Sequence, residues 1–108
     1  MQKLLFVCSQ NKWRSLTAEK IFENHEDYSV KSAGTENGAR VKITAGLVGW
    51  ADIIFVMEKK HRSRIQEKLG ESLLNKPLHV LNIPDDYQFM DEELIMILEG
   101  KVGEIIDL

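Results

Sequence analysis

A single cysteine, two prolines and no run of lysine or arginine set the first limits on this chain of 108 residues. One thiol rules out a disulfide within the chain, and a lone thiol suits a reducing cytoplasm. With no basic run and a net charge of -3, neither a nucleic-acid partner nor a membrane-surface role is expected. No apolar stretch is long enough for a signal-peptide core, and none approaches a membrane span. The three histidines, His25, His61 and His79, are scattered without ligand spacing, so no metal site is expected. Repeats, low-complexity tracts and linkers are also lacking. What remains is an ordinary globular composition, 44% hydrophobic and 29% charged. Its length suits one hydrophobic core, hence a single domain over residues 1–108.

The apolar pattern predicts alternating strands and helices. Residues 3–8 read as a short buried strand, and Ser15 is placed to cap a helix running to about Asn24, with Glu19 supplying early-turn negative charge. Tyr28 to Ser32 alternates as a second strand, ended by Gly34. Residues 33–43 are loop-like, and Thr44 is placed to cap a short helix to Trp50. Asp52 to Met57 is the strongest strand, apolar on both faces and therefore central. A helix from about Lys59 to Leu69 should stop at Gly70, as a glycine C-cap predicts. Leu78 to Leu81 is a fourth strand, Pro84-Asp85-Asp86-Tyr87 a turn, and Glu92 to Leu98 a last helix stopped by Gly100. Val102 to Leu108 reads either as a docked turn or as a frayed tail. The order β-α-β-α-β-α-β-α predicts an α/β three-layer sandwich with a four-stranded parallel sheet. Ligands of such sheets bind beyond the carboxyl ends of the strands, where Cys8 and Asp85 both fall.

The stretch from Leu4 to Ser15 organises the rest. Four apolar residues end on Cys8, five residues intervene, and Arg14-Ser15 opens a helical pattern. A strand, a short polar loop and a helix start form an anion cradle, because the loop N–H groups and the helix N-terminus aim partial positive charge into one concavity. A cysteine at its entrance sees a field that favours thiolate over thiol. Arg14 at the far end offers two parallel donors to a tetrahedral oxyanion. The bare Cys-x5-Arg spacing is a weak signal, and a cysteine ending a buried strand also serves as a small core residue. The strand before it and the capped helix after it favour a site: a thiolate attacking phosphorus while residues Ser9, Gln10, Asn11, Lys12, Trp13, Arg14 and Ser15 hold the phosphoryl oxygens. Ser15 can donate to the Cys8 sulfur as well as cap the helix. Asn11 can bend through left-handed geometry. A proton donor must reach the leaving oxygen from another loop, and Asp85 and Asp86 are the candidates. Tyr87 beside them either walls a slot for an aromatic leaving group or packs on its own loop.

With these residues the chain resembles the low-molecular-weight protein tyrosine phosphatases. The matches run in family order over some 80 residues: Leu5-Phe6-Val7-Cys8 with Asn11, Arg14, Ser15 and Ala18-Glu19; Ser32-Ala33-Gly34-Thr35; Ala39-Arg40; Asp52 to Met57-Glu58; and Pro84-Asp85 with Tyr87. The resemblance implies the phosphatase I-like fold. It also implies a phosphomonoester hydrolase free of metal or organic cofactor, acting on a phosphorylated protein or a small phosphomonoester. Within it Cys8 forms a phosphocysteine, Arg14 binds phosphate, Ser15 stabilises the thiolate, Asn11 shapes the loop and Asp85 is the general acid and then the base.

The chain departs from the family at Gln10, where glycine is usual, and at Trp13, where many relatives carry a second cysteine. Asp85-Asp86-Tyr87-Gln88 replaces Asp-Pro-Tyr-Tyr. A long insert between Thr35 and Ala39 is missing, and Gly38 stands where a histidine supports the loop asparagine. A trimmed member with an open rim is expected. A single cysteine excludes the disulfide relay of arsenate reductases housed on this fold. The remaining alternative is a catalytically weak phosphate-binding protein or cysteine phosphocarrier, and Arg14 and Asp85 argue against the carrier.

Overall fold

Leu4, Leu5, Phe6 and Val7 are all fully buried, which demands cover on both faces of the strand they form. The computed structural model describes all residues, Met1–Leu108, and supplies that cover with helices on each side of a sheet. In chain order the elements are β1 (Gln2–Cys8), α1 (Arg14–Phe22), β2 (Tyr28–Gly34), α2 (Ala45–Trp50), β3 (Ile53–Val56), α3 (Lys59–Leu73), β4 (Leu78–Val80) and α4 (Glu92–Gly103). The strands are parallel in the order β2-β1-β3-β4. The expected three-layer α/β sandwich is what the chain forms, with β1 and β3 central.

Strand periodicity splits the core in two. Leu4, Phe6 and Cys8 of β1 join Phe55 and Met57 against Ala18 and Phe22 of α1 and Leu94, Leu98 and Val102 of α4. Phe6 stacks between Phe22 and Phe55, with ring centroids 5.6 and 5.0 Å away. Leu5 and Val7 turn the other way and meet Ile54, Val56, Val48 of α2 and Ile65 of α3. From β1 the chain goes first to β2 on one side, then to β3 on the other. The sheet order therefore reverses between β1 and β3, and a crevice opens at their carboxyl ends. Cys8 ends β1 there, and Glu58 follows β3.

Several boundaries differ from expectation for identifiable reasons. α1 begins at Arg14 with Trp13 in the cap position, and no side chain caps it. Ser15 lies inside the helix, its hydroxyl engaged elsewhere, and Glu19 is not in the first turn but accepts a hydrogen bond from Ser32 Oγ at 2.6 Å. α3 runs through Gly70 to Leu73, with a kink at Leu69. No glycine takes a positive φ; Asn75, just past the helix, does (φ 61). α4 likewise continues through Gly100, because Leu98 and Val102 on either side both bury on the core. Its start is capped by Asp91, whose carboxylate accepts from Glu93 N–H at 2.9 Å. The final residues are docked rather than frayed: Ile106 is buried and Tyr28 Oη donates to Asp107 O at 2.6 Å. Thr44 caps α2 as expected, accepting from Leu47 N–H at 3.1 Å. No helix is long and apolar enough to cross a membrane.

Candidate active site

The loop after Cys8 is shaped by what happens to its carbonyl groups. Thr35 N–H donates to Cys8 O (3.0 Å), Glu36 N–H to Ser9 O (3.0 Å) and Arg40 N–H to Gln10 O (2.9 Å). Arg40 Nε adds a bond to Asn11 O at 3.2 Å. With the oxygens drawn back onto residues 35–40, the N–H groups of Ser9, Gln10, Lys12 and Trp13 find no acceptor in the protein. Successive free N–H groups at a helix start are a nest for an anion. Asn11 reverses the chain with φ 59, and its own N–H donates to Cys8 Sγ at 3.3 Å. The loop can lie this close to β2 only because residue 34 is glycine. A Cβ there would stand 2.5 Å from Ser9 O and 3.0 Å from Asn11 N.

The sulfur has a second partner. Ser15 Oγ lies 2.9 Å from Cys8 Sγ and receives Asn11 Nδ2–H at 2.7 Å. Its single proton has two acceptors in reach, the sulfur and Ala33 O at 3.3 Å. A thiolate, being charged, draws that proton to itself. This use of the hydroxyl is why Ser15 does not cap α1. Asn11 Oδ1 is buried without a partner.

Arg14 is 2% exposed, which a guanidinium tolerates only when its donors are filled. It pairs with the Glu58 carboxylate, donates to Ile83 O at 2.8 Å and stands 3.6 Å from Asp85 Oδ1 through Nε. Burial pushes the Glu58 carboxyl up, but the hydrogen bond and charge of Arg14, with Lys60 and His61, outweigh it and hold its pKa below the ordinary value. His61, one turn along α3, is 1% exposed. Burial and then the Arg14 charge lower its pKa to about 4, so its ring is neutral near pH 7.

These groups enclose a cleft of ≈ 220 Å³ lined by Cys8, Ser9, Gln10, Lys12, Trp13, Arg14, Glu36, Lys60 and Asp85. Of the residues singled out by sequence, Asn11 and Ser15 lie beneath the loop, fully buried, rather than on the cleft wall. Asp85 lines the cleft, while Asp86 does not. Tyr87 packs on the apolar core instead of walling the cleft; the aromatic residue present there is Trp13, 44% exposed. Sequence reasoning left Glu58 and Arg40 without a role and treated His61 only as a scattered histidine. Glu58 and His61 sit at the cap and third position of α3, but Glu-x-x-His is not a usual capping sequence, so no pattern in the chain marks them.

No protein-family model matches the chain. A search of curated proteins likewise finds no match. Solved structures do match. A low-molecular-weight protein tyrosine phosphatase from Streptococcus pyogenes superposes with a TM-score of 0.77 at 16% identity, covering 99% of this chain and 95% of the other. The tyrosine phosphatase Wzb from Escherichia coli K30, in complex with phosphate, gives 0.77 at 22% identity over 95% of this chain and 94% of its own. The YwlE arginine phosphatase from Geobacillus stearothermophilus gives 0.72 at 19% identity over 96% and 92%. The chain has the fold of the low-molecular-weight protein tyrosine phosphatases, as its sequence motifs led us to expect.

Proposed function

We propose that this protein is a phosphomonoester hydrolase of the tyrosine-phosphatase type, working through a phosphocysteine on Cys8. The reading is carried by one observation. The only thiol in the chain sits at the floor of a cleft whose surrounding loop has its carbonyls tied back and its N–H groups of Ser9, Gln10, Lys12 and Trp13 unpaired. Such a loop suits three equatorial phosphoryl oxygens, and the Arg14 guanidinium beside it follows their charge into the transition state.

The Cys8 thiolate forms an S–P bond as the ester O–P bond breaks, and Asp85 gives its proton to the departing oxygen. Asp85, now a carboxylate, takes a proton from water as that water's oxygen attacks phosphorus. The S–P bond breaks, and the thiolate and inorganic phosphate are released. Solved proteins of this fold include tyrosine phosphatases and an arginine phosphatase, which supports phosphorylated protein as the substrate class. Trp13 on the rim favours an aryl ester, and the lone thiol favours a reducing cytoplasm.

The test is hydrolysis of p-nitrophenyl phosphate at mildly acidic pH by wild type and Cys8→Ser. Turnover that disappears in the variant, and falls by about 100-fold or more in Asp85→Asn, is the expected result. A folded, reduced protein that binds inorganic phosphate without any turnover would instead support the phosphate-binding or phosphocarrier alternative.

A further inference from the structure

We infer that the Ser9 side chain, and not only its backbone N–H, is a hydrogen-bond donor to the bound phosphomonoester, and that His61 is the positioning residue that sets it. The inference rests on the phosphate-binding reading of the cleft. It assigns a buried histidine that the proposed chemistry leaves without a task.

His61 Nδ1 lies 3.0 Å from the Glu58 backbone N–H and must accept from it, so Nδ1 carries a lone pair. In a neutral ring the proton is then on Nε2. Nε2 lies 2.9 Å from Ser9 Oγ, so His61 donates and Ser9 accepts. The reverse tautomer would face two N–H groups toward each other at Glu58. Ser9 Oγ has no other partner in the protein, so its own proton is left to donate. Ser9 directly follows Cys8 and lines the cleft with Arg14 and Asp85, where an oxygen of a bound phosphomonoester would accept that proton.

The arrangement also says what His61 does not do. Both ring nitrogens are occupied and the ring is buried, so it is not the general acid or base. It connects the backbone of residue 58, whose carboxylate holds Arg14, to the hydroxyl of Ser9 next to Cys8. A fixed hydroxyl needs no reorganisation when charge develops on the oxygen it faces.

Two substitutions at His61 separate this from a purely structural helix cap. Asn places an acceptor where Nδ1 is, keeps the Glu58 bond and cannot reach Ser9. Gln places a donor where Nε2 is, reaches Ser9 and gives up the Glu58 bond. We would measure the Kd for inorganic phosphate, and kcat and KM for p-nitrophenyl phosphate. Ser9→Ala and His61→Asn should each weaken phosphate binding and kcat/KM by about 10-fold, the scale of one hydrogen bond to a charged oxygen. Ser9→Thr and His61→Gln should stay within about threefold of wild type, and Ser9→Ala/His61→Asn should be no worse than Ser9→Ala alone. The inference is overturned if Ser9→Ala binds phosphate like wild type, if Gln is worse than Asn at position 61, or if the two losses multiply. Phosphate binding is read without turnover, so a protein that binds phosphate but hydrolyses nothing would sink the phosphatase reading and still test this one.

Discussion

The Arg14 guanidinium pairs with the Glu58 carboxylate beside a cleft otherwise arranged to receive an anion. The pair joins the start of α1 to the cap residue of α3, across the point where the sheet order reverses. The carboxylate and the Ile83 carbonyl take up donors of Arg14, which fixes the plane of the guanidinium beside the cleft. An arginine this buried has few other ways to keep its orientation.

Replacing Glu58 with alanine should therefore cost both stability and function. Leaving a buried guanidinium without its carboxylate should lower stability by about 2 kcal/mol, less than for a fully buried pair because Glu58 is itself only partly covered. Urea denaturation reads this loss. The kcat/KM for p-nitrophenyl phosphate should fall by about 10-fold or more as the guanidinium loses its aim. Arg14→Lys should be worse still for activity, because an ammonium cannot present two parallel donors.

Gly34→Ala should damage the loop directly. The new Cβ would stand 2.5 Å from a backbone oxygen and 2.7 Å from Ala39 Cβ, neither of them a flexible side-chain tip. Overpacking of this kind costs about 1–3 kcal/mol. Because the displaced atom belongs to Ser9, phosphate affinity should fall along with the melting temperature. A variant as stable as wild type that keeps its phosphate affinity would contradict the geometry described above.

Ser15→Ala removes a donor 2.9 Å from the sulfur and a partner of Asn11. Alkylation of Cys8 by iodoacetamide at a fixed pH near 7 should slow by about 10-fold, the scale of a hydrogen bond to a charged group. Ser15→Thr keeps the hydroxyl and should react at a rate nearer to wild type. Equal rates in wild type and Ser15→Ala would show that the hydroxyl does not act on the thiolate.

His61 makes stability pH-dependent with a definite sign. Burial, then the positive charge of Arg14, with Lys60 and Arg64 adding to it and Glu58 opposing, lower its pKa from 6.5 to about 4. Between these values the unfolded chain binds the proton and the folded protein does not. The contribution is therefore fully present above about pH 6.5, falls as pH drops toward 4, and levels off below that. The full change is about 3 kcal/mol. Denaturation at a series of pH values should show wild type losing more than His61→Gln over this window, since other groups titrate in both proteins.

The sequence by itself determined the layers and put the one thiol at the end of a central strand. Four consecutive apolar residues ending at Cys8, and a second such run at residues 53–57, dictate central parallel strands, because only a strand covered on both faces buries every residue of such a run. The polar loop between Cys8 and Arg14 directed attention to the carboxyl edge of the sheet, where strand ends and helix starts meet and where the cleft lies. Helix ends were less legible: Gly70 and Gly100 read as stops, yet both lie inside helices whose apolar faces continue past them. Local propensity is a difference of about 1 kcal/mol, and burial of the next apolar turn exceeds it.

Only the tertiary structure decided what surrounds the thiol. Glu58 and His61 lie 44 residues or more from the groups they bond in the loop, and Arg40 reaches back 29 to hold Asn11 O. It moved Tyr87 onto the core and brought Trp13 and Asp85 to the cleft. Such pairings leave no periodic trace, because a hydrogen bond between distant residues constrains two positions and nothing between them. Periodicity reports which face of an element is buried; the partners of a buried polar group are set by where the sheet order puts the strand ends.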